Sequence, residues 1–317
     1  IKFFYFVVSF VVLTDFLFSK IGDPMNYDNK TKGSVVVTGV STGIGKSIAE
    51  GLMQSGFRVF GSVRKPADAS DLVSRYQDQF VPLIMDVCDA SAVEAAVTTV
   101  SDYLGSESLF ALINNAGISL SGPIVFQPLD EIRKTMEVNF FAVIRVTRAF
   151  LPLLGMTAEK VERPGRIINI GSVSGTMTAP FMSAYSASKH AVEALGQGFR
   201  RELIPYGIEV STIEPGFVQS SLFEKSRQSM NDQDYSRTPY QEMWQQFNKS
   251  LPEQEKNAIP ANKVNALVLR ILKAEKPHPR YPMHPIWYVA RYLPDRFFDR
   301  LIFRAMGLAG MIDRIRS

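Results

Sequence analysis

The sequence predicts an α/β protein of the Rossmann type, a doubly wound parallel sheet with helices on both faces, built as a single domain. Three observations predict this fold. Short β-branched segments alternate with longer segments of helical apolar spacing. A glycine-rich turn, Gly39–Gly45, follows the first short segment. Further polar and glycine motifs fall at the ends of later segments, where a parallel sheet of this kind binds its ligand.

Six strands are predicted from short apolar and β-branched runs. They are Ser34–Thr38, Phe57–Val63, Val81–Asp86, Leu109–Asn114, Arg166–Ser172 and Ile208–Ile213. Helices are predicted where apolar residues recur at helical spacing. They are Lys46–Gln54, Ser91–Leu104 with Ser91 as its N-cap, a long helix from about Asp130 to Leu154, Ser183–Leu203 and Asn262–Lys273. The polar stretch Phe217–Pro260 carries no strand pattern.

Two extensions are expected to flank the catalytic domain, which we place at residues 25–275. Residues 1–24 form an apolar N-terminal segment, and residues 276–317 form a helical C-terminal extension. Arginines alternate with aromatic residues in this extension, in Pro285–Ile315. Such a pattern suits a membrane interface, a lid over a substrate pocket, or plain packing on the domain.

The N-terminal run Phe3–Phe18 is almost entirely apolar, interrupted by Asp15. A contiguous apolar surface of this size must be buried in lipid or protein, which predicts a membrane anchor. An apolar helix packed on protein and an added sequence are the alternatives. Lysines downstream, including Lys20 and Lys32, favour a catalytic domain on the cytoplasmic side of a membrane. A soluble cytoplasmic protein is the alternative.

The composition narrows the function classes. The formal net charge is +4 and no run of five like charges occurs, so we expect no nucleic-acid partner. The single cysteine, Cys88, excludes an intramolecular disulfide, and the three histidines form no cluster with it, so we expect no metal site. We expect a small-molecule substrate and a homo-oligomer, either a dimer or a tetramer.

The glycine-rich turn is the first candidate cofactor site. Glycine lets the backbone turn sharply and approach a pyrophosphate, while the N-terminus of the next helix offers free N–H groups and partial positive charge. The spacing is G-x-x-x-G-x-G. A glycine-rich turn without a ligand is the alternative. The residues predicted to bind the cofactor here are Gly39, Ser41, Thr42, Gly43, Ile44 and Gly45.

The end of the second strand indicates which dinucleotide binds. A site that prefers NAD usually offers a carboxylate to the ribose 2′-hydroxyl at this point. This chain has Ser62 there, followed by Arg64 and Lys65. A cation suits the 2′-phosphate of NADP through charge-assisted hydrogen bonds, so NADP is predicted, with NAD as the alternative. The alternative is that Arg64 and Lys65 are solvated charges in a loop and contact no cofactor.

Asparagines end the fourth strand, in the segment Asn114–Gly117. Buried asparagines at a strand end can join neighbouring strands through hydrogen bonds, and this structural role is the one we favour for them. A functional interpretation is that Asn115, Ala116 and Gly117 also border the adenosine side of the cofactor.

The strongest catalytic signal is Tyr185 followed four residues later by Lys189, with Ser172 at the end of the fifth strand. On a helix, residues four apart face the same way. A tyrosine hydroxyl is a poor base at neutral pH, but a nearby ammonium and the positive charge of oxidised nicotinamide favour its phenolate. Ser172 can hold and polarise a substrate oxygen. The alternative is a tyrosine and a lysine on an ordinary amphipathic helix.

These motifs, TGVSTGIG, NNAG, Ser172, YSASK and Pro215-Gly216, stand together in one order over roughly residues 33–220. In that order the chain resembles the short-chain dehydrogenase/reductase family. The segments VFGSVRKPAD and LPDRFFDRLIFRAMGL are similar to the branch that contains retinol and hydroxysteroid dehydrogenases.

The resemblance implies further site residues. Asn139 would complete a catalytic tetrad with Ser172, Tyr185 and Lys189, and its helix would hold a water that relays protons to the lysine. Lys189 would also bind the nicotinamide ribose. Residues implied to border the adenine or the nicotinamide carboxamide are Asp86, Val87, Pro215, Gly216 and Val218. Gln219-Ser220-Ser221 departs from the family, in which threonine often follows this glycine and contacts the diphosphate.

We therefore expect an NADP(H)-dependent oxidoreductase that interconverts an alcohol and a ketone or aldehyde on a lipophilic substrate such as a steroid, a retinoid or a lipid-like carbonyl. Two alternatives remain open. One is an epimerase of the same family, and the other is an accessory membrane-associated subunit that keeps the fold without catalysis.

Overall fold

The structure, a computed structural model, describes residues 32–157, 159, 161–219, 235–284, 292–308 and 310. The apolar run Phe3–Phe18 therefore lies outside the described residues. So do Ser220 and Ser221 and much of the C-terminal extension, including residues 285–291 and 311–317.

A parallel sheet forms the centre of the molecule, and the described residues contribute seven strands to it. The strands are β1 Ser34–Val37, β2 Arg58–Val63, β3 Phe80–Ile84, β4 Ala111–Asn114, β5 Arg166–Ile170, β6 Glu209–Glu214 and β7 Arg280–Pro282. Their order in the sheet is β3-β2-β1-β4-β5-β6-β7. The winding direction reverses between β1 and β4, which opens a crevice at the carboxyl ends of these two strands. The doubly wound fold predicted from the sequence is confirmed.

Helices cover both faces of the sheet. They are α1 Gly43–Gln54, α2 Ser70–Tyr76, α3 Ala90–Leu104, α4 Leu129–Met136, α5 Ala142–Phe150, α6 Ser183–Glu202, α7 Gln241–Lys256, α8 Ala261–Lys273 and α9 Asp295–Ala305. Side-chain alternation along the strands supplies two cores. Val35 and Val37 of β1 face α1 and α8, whereas Val36 faces α3, α5 and α6.

Several elements differ from the sequence-based prediction. The long helix expected from Asp130 to Leu154 is α4 and α5 joined by a π-helical segment, Glu137–Phe141. Ser91 is not the N-cap of α3. Asp89 occupies that position, because its carboxylate accepts hydrogen bonds from the backbone N–H groups of Ser91 and Ala92.

Other elements were not predicted. β7 has only three residues, and α7 lies inside the polar stretch from which no strand pattern could be read. The strand predicted to reach Ser172 ends at Ile170, because Ser172 caps a short helical turn by accepting a hydrogen bond from the N–H of Ser174.

A third apolar cluster, separate from the two cores, lies around Phe181. Its buried members are Phe181, Tyr235, Trp244, Phe247, Met306 and Leu308. Phe181 packs edge-on against Trp244 of α7, with ring centroids 5.4 Å apart. Ile302 and Phe303 of α9 pack on the same cluster, so the C-terminal extension is in contact with the domain. Within the described ranges, no helix combines the length and apolarity that crossing a membrane requires.

Candidate active site

Hydrogen bonds join the ends of β1 and β4 where the crevice opens. The hydroxyl oxygen of Thr38 accepts hydrogen bonds from the backbone N–H groups of Asn115 and Ala116, both at 2.9 Å. The Asn115 side-chain amide donates to the carbonyls of Thr38 at 2.9 Å and Gly39 at 3.1 Å. Thr38 was not predicted as a site residue, although its place at the head of the glycine motif was a usable signal.

The glycine turn is built at positions where a side chain does not fit. Gly39 and Gly43 have φ values of +73° and +59°, which favour glycine. A Cβ atom on Gly45 would overlap the carbonyl oxygen of Gly39 and the side chain of Asn115. The first turn of α1 carries no acidic side chain, and the Thr42 side chain does not cap this helix. The N-terminus of α1 is therefore suited to an anion.

Ser62 supports this turn from behind. Its side chain is buried, and its hydroxyl oxygen accepts a hydrogen bond of 2.9 Å from the Gly39 N–H. This bond leaves the hydroxyl hydrogen of Ser62 available, and the predicted contact of Ser62 with a cofactor stays a prediction. Arg64 and Lys65, which follow β2, are exposed.

A buried amide pair joins β4 to β5. The Asn114 side chain donates to the Asn169 side-chain oxygen at 2.9 Å and to the Thr147 hydroxyl at 3.0 Å. The structural role predicted for the asparagines is confirmed, with Asn114 and Asn115 each bonding a different neighbour.

The remaining residues expected at the cofactor lie along the same edge of the sheet. Asp86 is exposed beyond β3 and accepts a hydrogen bond from the Cys88 N–H at 2.9 Å. The Val87 side chain is buried, and its carbonyl accepts from Arg145 at 3.0 Å. Pro215 follows β6, and its carbonyl accepts from the Val173 N–H at 2.9 Å. The Val218 side chain lies in the core, which leaves its backbone for any ligand contact.

Tyr185 and Lys189 lie on one face of α6, and both are at least nine-tenths buried. Ser172 lies beside the Tyr185 hydroxyl, where its side chain acts as a hydrogen-bonding partner that lowers the pKa of the tyrosine. The Lys189 ammonium donates a hydrogen bond of 2.8 Å to the carbonyl of Ile170, the last residue of β5. It lies 5.8 Å from the centre of the Tyr185 ring. Three residues predicted from the sequence therefore converge at the end of β5.

Asn139 lies in the π-helical segment and is almost fully buried. Its side-chain oxygen accepts from the Ile118 N–H, and its amide donates to the Ile118 carbonyl and to the Ser188 hydroxyl, all at 2.9 Å. Ser188 in turn donates to the Tyr185 carbonyl at 2.6 Å. Asn139 is thus connected to the helix that carries Tyr185. Ser188 was missed, although it stands within the YSASK motif.

Burial dominates the titration of the two central groups. It raises the pKa of Tyr185 above its ordinary value, and the hydrogen bond with Ser172 partly offsets this effect. It lowers the pKa of Lys189 to about 8, opposed by the negative charge of Glu193. The pKa lowering predicted for Tyr185 was for the complex with oxidised nicotinamide, whose positive charge is part of that prediction. In the protein alone, the direction is the reverse.

The part of the chain that the structure describes offers no obvious metal site. Those residues contain no group of three or more histidine, cysteine or acidic side chains placed to hold a metal ion. Cys88 is half-buried, and burial raises the pKa of its thiol to about 11, so it is a poor nucleophile at neutral pH.

Comparisons with known proteins agree with this geometry. The sequence profile described as short chain dehydrogenase matches residues 33–231. A protein named NADPH-dependent 3-dehydrocapnine reductase, from Ornithobacterium rhinotracheale, is 40% identical over 85% of this chain and 95% of its own length. Mouse retinol dehydrogenase 5 is 30% identical over 84% of this chain and 87% of its own length.

Solved structures share the fold. A short chain dehydrogenase from Burkholderia cenocepacia, crystallised in complex with NADP, superposes with a TM-score of 0.63. It is 26% identical, and the match covers 85% of this chain and 96% of that one.

The buried Lys189 should make stability depend on pH. Its folded pKa of about 8 lies below the ordinary value of 10.5, so between these values the unfolded chain binds more protons than the folded one. The contribution of this group to the free energy of unfolding therefore rises across that window and is constant outside it. The Lys189→Met variant should lack this rise, which amounts to at most roughly 3 kcal/mol. Urea unfolding of both proteins as a function of pH measures the difference, and parallel curves would contradict the depressed pKa.

Proposed function

This protein belongs to the short-chain dehydrogenase family of oxidoreductases that act on CH–OH groups, and we propose that it uses NADP(H) to interconvert a lipophilic alcohol and the corresponding ketone or aldehyde. The observation that carries the proposal is the burial of Tyr185 and Lys189 together on one face of α6, with the Lys189 ammonium bonded to the last carbonyl of β5 and 5.8 Å from the centre of the tyrosine ring.

The glycine turn fits a dinucleotide. Gly45 packs so closely on Gly39 that no side chain can enter, and the N–H groups at the start of α1 meet no acidic side chain in its first turn. We propose that these groups bind the pyrophosphate, together with the backbone of Ser41, Thr42 and Ile44. Further contacts are proposed for Asp86, Val87, Asn115, Ala116, Gly117, Pro215, Gly216 and Val218, with Tyr185 and Lys189 at the ribose.

NADP is favoured over NAD. The position after β2 offers the exposed cations Arg64 and Lys65, and Ser62 replaces the carboxylate that would repel a 2′-phosphate. The relative named NADPH-dependent 3-dehydrocapnine reductase and the NADP complex of the Burkholderia cenocepacia enzyme support the same choice.

The chain's own residues manage the proton. When bound, the cofactor supplies or accepts the hydride. In reduction, the Tyr185 hydroxyl donates its proton to the carbonyl oxygen of the substrate, and the Ser172 hydroxyl holds that oxygen. In oxidation, Tyr185 receives the proton. The Lys189 ammonium favours the phenolate form, and Asn139 fixes α6 through Ser188.

Apolar surface beside the site supports a lipophilic substrate. The exposed residues Ile124, Val125 and Phe126 lie in one loop, and Val125 is 68% exposed. Leu129, the first residue of α4, is exposed as well. Phe126 contacts Tyr240, which contacts Phe181, two residues before α6 begins. Phe217, just past the end of β6, is also exposed. An exposed group of large apolar side chains is unusual on a protein surface in water and suits the entry of an apolar molecule.

The two alternatives have less support. An epimerase needs room to turn a large substrate, and the residues that the structure describes include no separate substrate domain. A non-catalytic subunit has no physical need to bury a lysine beside a tyrosine, because burying a charge is costly. Bound nicotinamide with turnover of a test ketone separates an enzyme from a subunit.

We further propose membrane association through residues 1–24, with the catalytic domain, residues 25–275, on the cytoplasmic side. The C-terminal extension, residues 276–317, contributes α9, in which Phe297 and Leu301 are exposed beside Arg296 and Arg300. Such a helix suits a membrane interface. A homodimer or homotetramer remains part of the proposal.

Removal of the proton donor tests the mechanism. Tyr185→Phe should lower kcat at least ~10²-fold, because it removes general acid–base catalysis while the cofactor still binds. Turnover of a ketone panel with NADPH measures kcat, and cofactor fluorescence measures binding. Tyr206→Phe, at an exposed tyrosine outside the site, is the control. Near-normal turnover by Tyr185→Phe would refute the assignment.

The choice of cofactor is tested at Arg64. Arg64→Ala should weaken NADPH binding by roughly 1.5–3 kcal/mol, the range for hydrogen bonds to charged groups, and leave NADH binding nearly unchanged. Titration calorimetry with both cofactors gives the two values. Arg133→Ala, at an exposed arginine paired with Asp130, is the matched control. Equal losses for both cofactors would show that Arg64 does not read the 2′-phosphate.

Membrane association is tested by two variants of the full chain. Deleting residues 1–24 should move an active, NADP-binding enzyme from the membrane fraction to the supernatant. Phe297→Ser/Leu301→Ser should leave the full-length protein on membranes. If only the second variant is released, α9 is the attachment site. If the deletion abolishes folding, residues 1–24 belong to the protein core instead.

A further inference from the structure

Two buried carboxylates lie close to the site and have no part in the proton transfer described above. Glu193 of α6 is 5% exposed, and Glu214 at the end of β6 is fully buried. A buried carboxylate is costly unless a cation or several hydrogen bonds compensate it. Each of the two carboxylates therefore needs a compensating cation or a set of hydrogen bonds.

The partner is Arg280 of the edge strand β7. Its Nε donates a hydrogen bond of 2.6 Å to Glu214 and lies 3.1 Å from the nearer carboxylate oxygen of Glu193. The Thr176 hydroxyl adds a longer contact of 3.4 Å to Glu214. One guanidinium thus compensates two carboxylates, which leaves this group of three with a net negative charge.

Glu193 packs against the backbone segment whose carbonyl oxygen accepts a hydrogen bond from Lys189. It follows Lys189 by one helical turn, so both face the end of β5. A Cβ atom on Gly171 would lie 2.9 Å from a Glu193 carboxylate oxygen, and one on Gly175 would lie 2.9 Å from its Cγ. Gly171 is next to Ile170, whose carbonyl oxygen accepts a hydrogen bond from the Lys189 ammonium. The glutamate and the ammonium therefore flank the same short stretch of backbone.

We propose that Glu193 is a positioning residue that keeps Lys189 charged, and that Arg280 fixes its carboxylate in place. The proposal rests on the function proposed above, in which the ammonium of Lys189 favours the phenolate of Tyr185. Charges alternate from Lys189 through Glu193 and Arg280 to Glu214, so the four residues together are neutral. The edge strand is linked in this way to the proton-transfer residues.

The electrostatics of the site agree. Burial depresses the pKa of Lys189, and the charge of Glu193 is what opposes this depression. The other titratable or charged groups facing this region are Tyr185 on the same helix, Glu214 of β6 and Arg280 of β7. Farther along α6, Arg200 and Arg201 line, with Glu193 and Arg280, a cavity of about 230 Å³.

The direct test is the titration of Lys189 by NMR of the intact, cofactor-bound protein, with its side-chain resonance assigned by its loss in Lys189→Met. Glu193→Gln keeps the shape and removes the charge, so the pKa of Lys189 should fall by about one unit. Glu193→Asp keeps the negative charge, so the pKa of Lys189 should fall less in this variant than in Glu193→Gln. Glu202→Gln, at an exposed glutamate at the end of the same helix, is the control and should leave it unchanged.

A second variant predicts a shift of opposite sign. Arg280→Gln removes a positive charge near Lys189 but keeps a side-chain amide that can still hold the carboxylates by hydrogen bonding, so the pKa of Lys189 should rise. Opposite shifts in the two variants are not expected from a loss of packing, and either variant alone carries the test if the other does not fold. An unchanged pKa in a folded variant overturns the proposal.

Catalysis provides an independent readout. The ratio of kcat between the wild type and Glu193→Gln should approach one at acidic pH, where Lys189 is protonated in both, and grow as pH rises. A ratio that is constant with pH indicates a structural role only and overturns the proposal. Failure here leaves the proposed function intact, whereas normal turnover by Tyr185→Phe removes the function itself.

Discussion

The junction between β1 and β4 is the interaction on which the rest of the site depends. These strands are neighbours at the point where the sheet changes winding direction, so their connections leave on opposite faces and a crevice opens between them. The Thr38 hydroxyl and the Asn115 amide hold this crevice at a fixed width. The glycine turn packs on the same asparagine. A ligand there meets backbone whose position is already determined.

Much of the site could be predicted from local patterns in the sequence. The glycine turn and the pair Tyr185 and Lys189 depend on spacing along one turn or one helix, and such spacing survives in any tertiary context. Ser172 could be placed because a strand end fixes where the chain emerges. The helix α7 had a signal that was overlooked, since Trp244, Phe247 and Leu251 recur at helical spacing within its glutamine-rich sequence.

Other features depend on contacts between distant residues and have no local signature. The direction of the Ser62 side chain follows from which face of β2 meets the glycine turn, a tertiary fact. Arg280 lies 66 residues from Glu214, in a strand too short to be recognised by its pattern. The choice of Asp89 over Ser91 as a helix cap turns on one hydrogen bond, and both residue types are good caps.

The π-helical segment at Asn139 restricts how this part of the chain can change in length. Such a segment contains one residue more than an α-helix would use, and each residue of a helix turns the chain by about 100°. Removing one residue would rotate α5 and carry Val146 and Phe150 away from the core that they fill. The amide of Asn139 and the core face of α5 are thus set by a single register. The number of residues in this segment is therefore constrained by the packing of the interior.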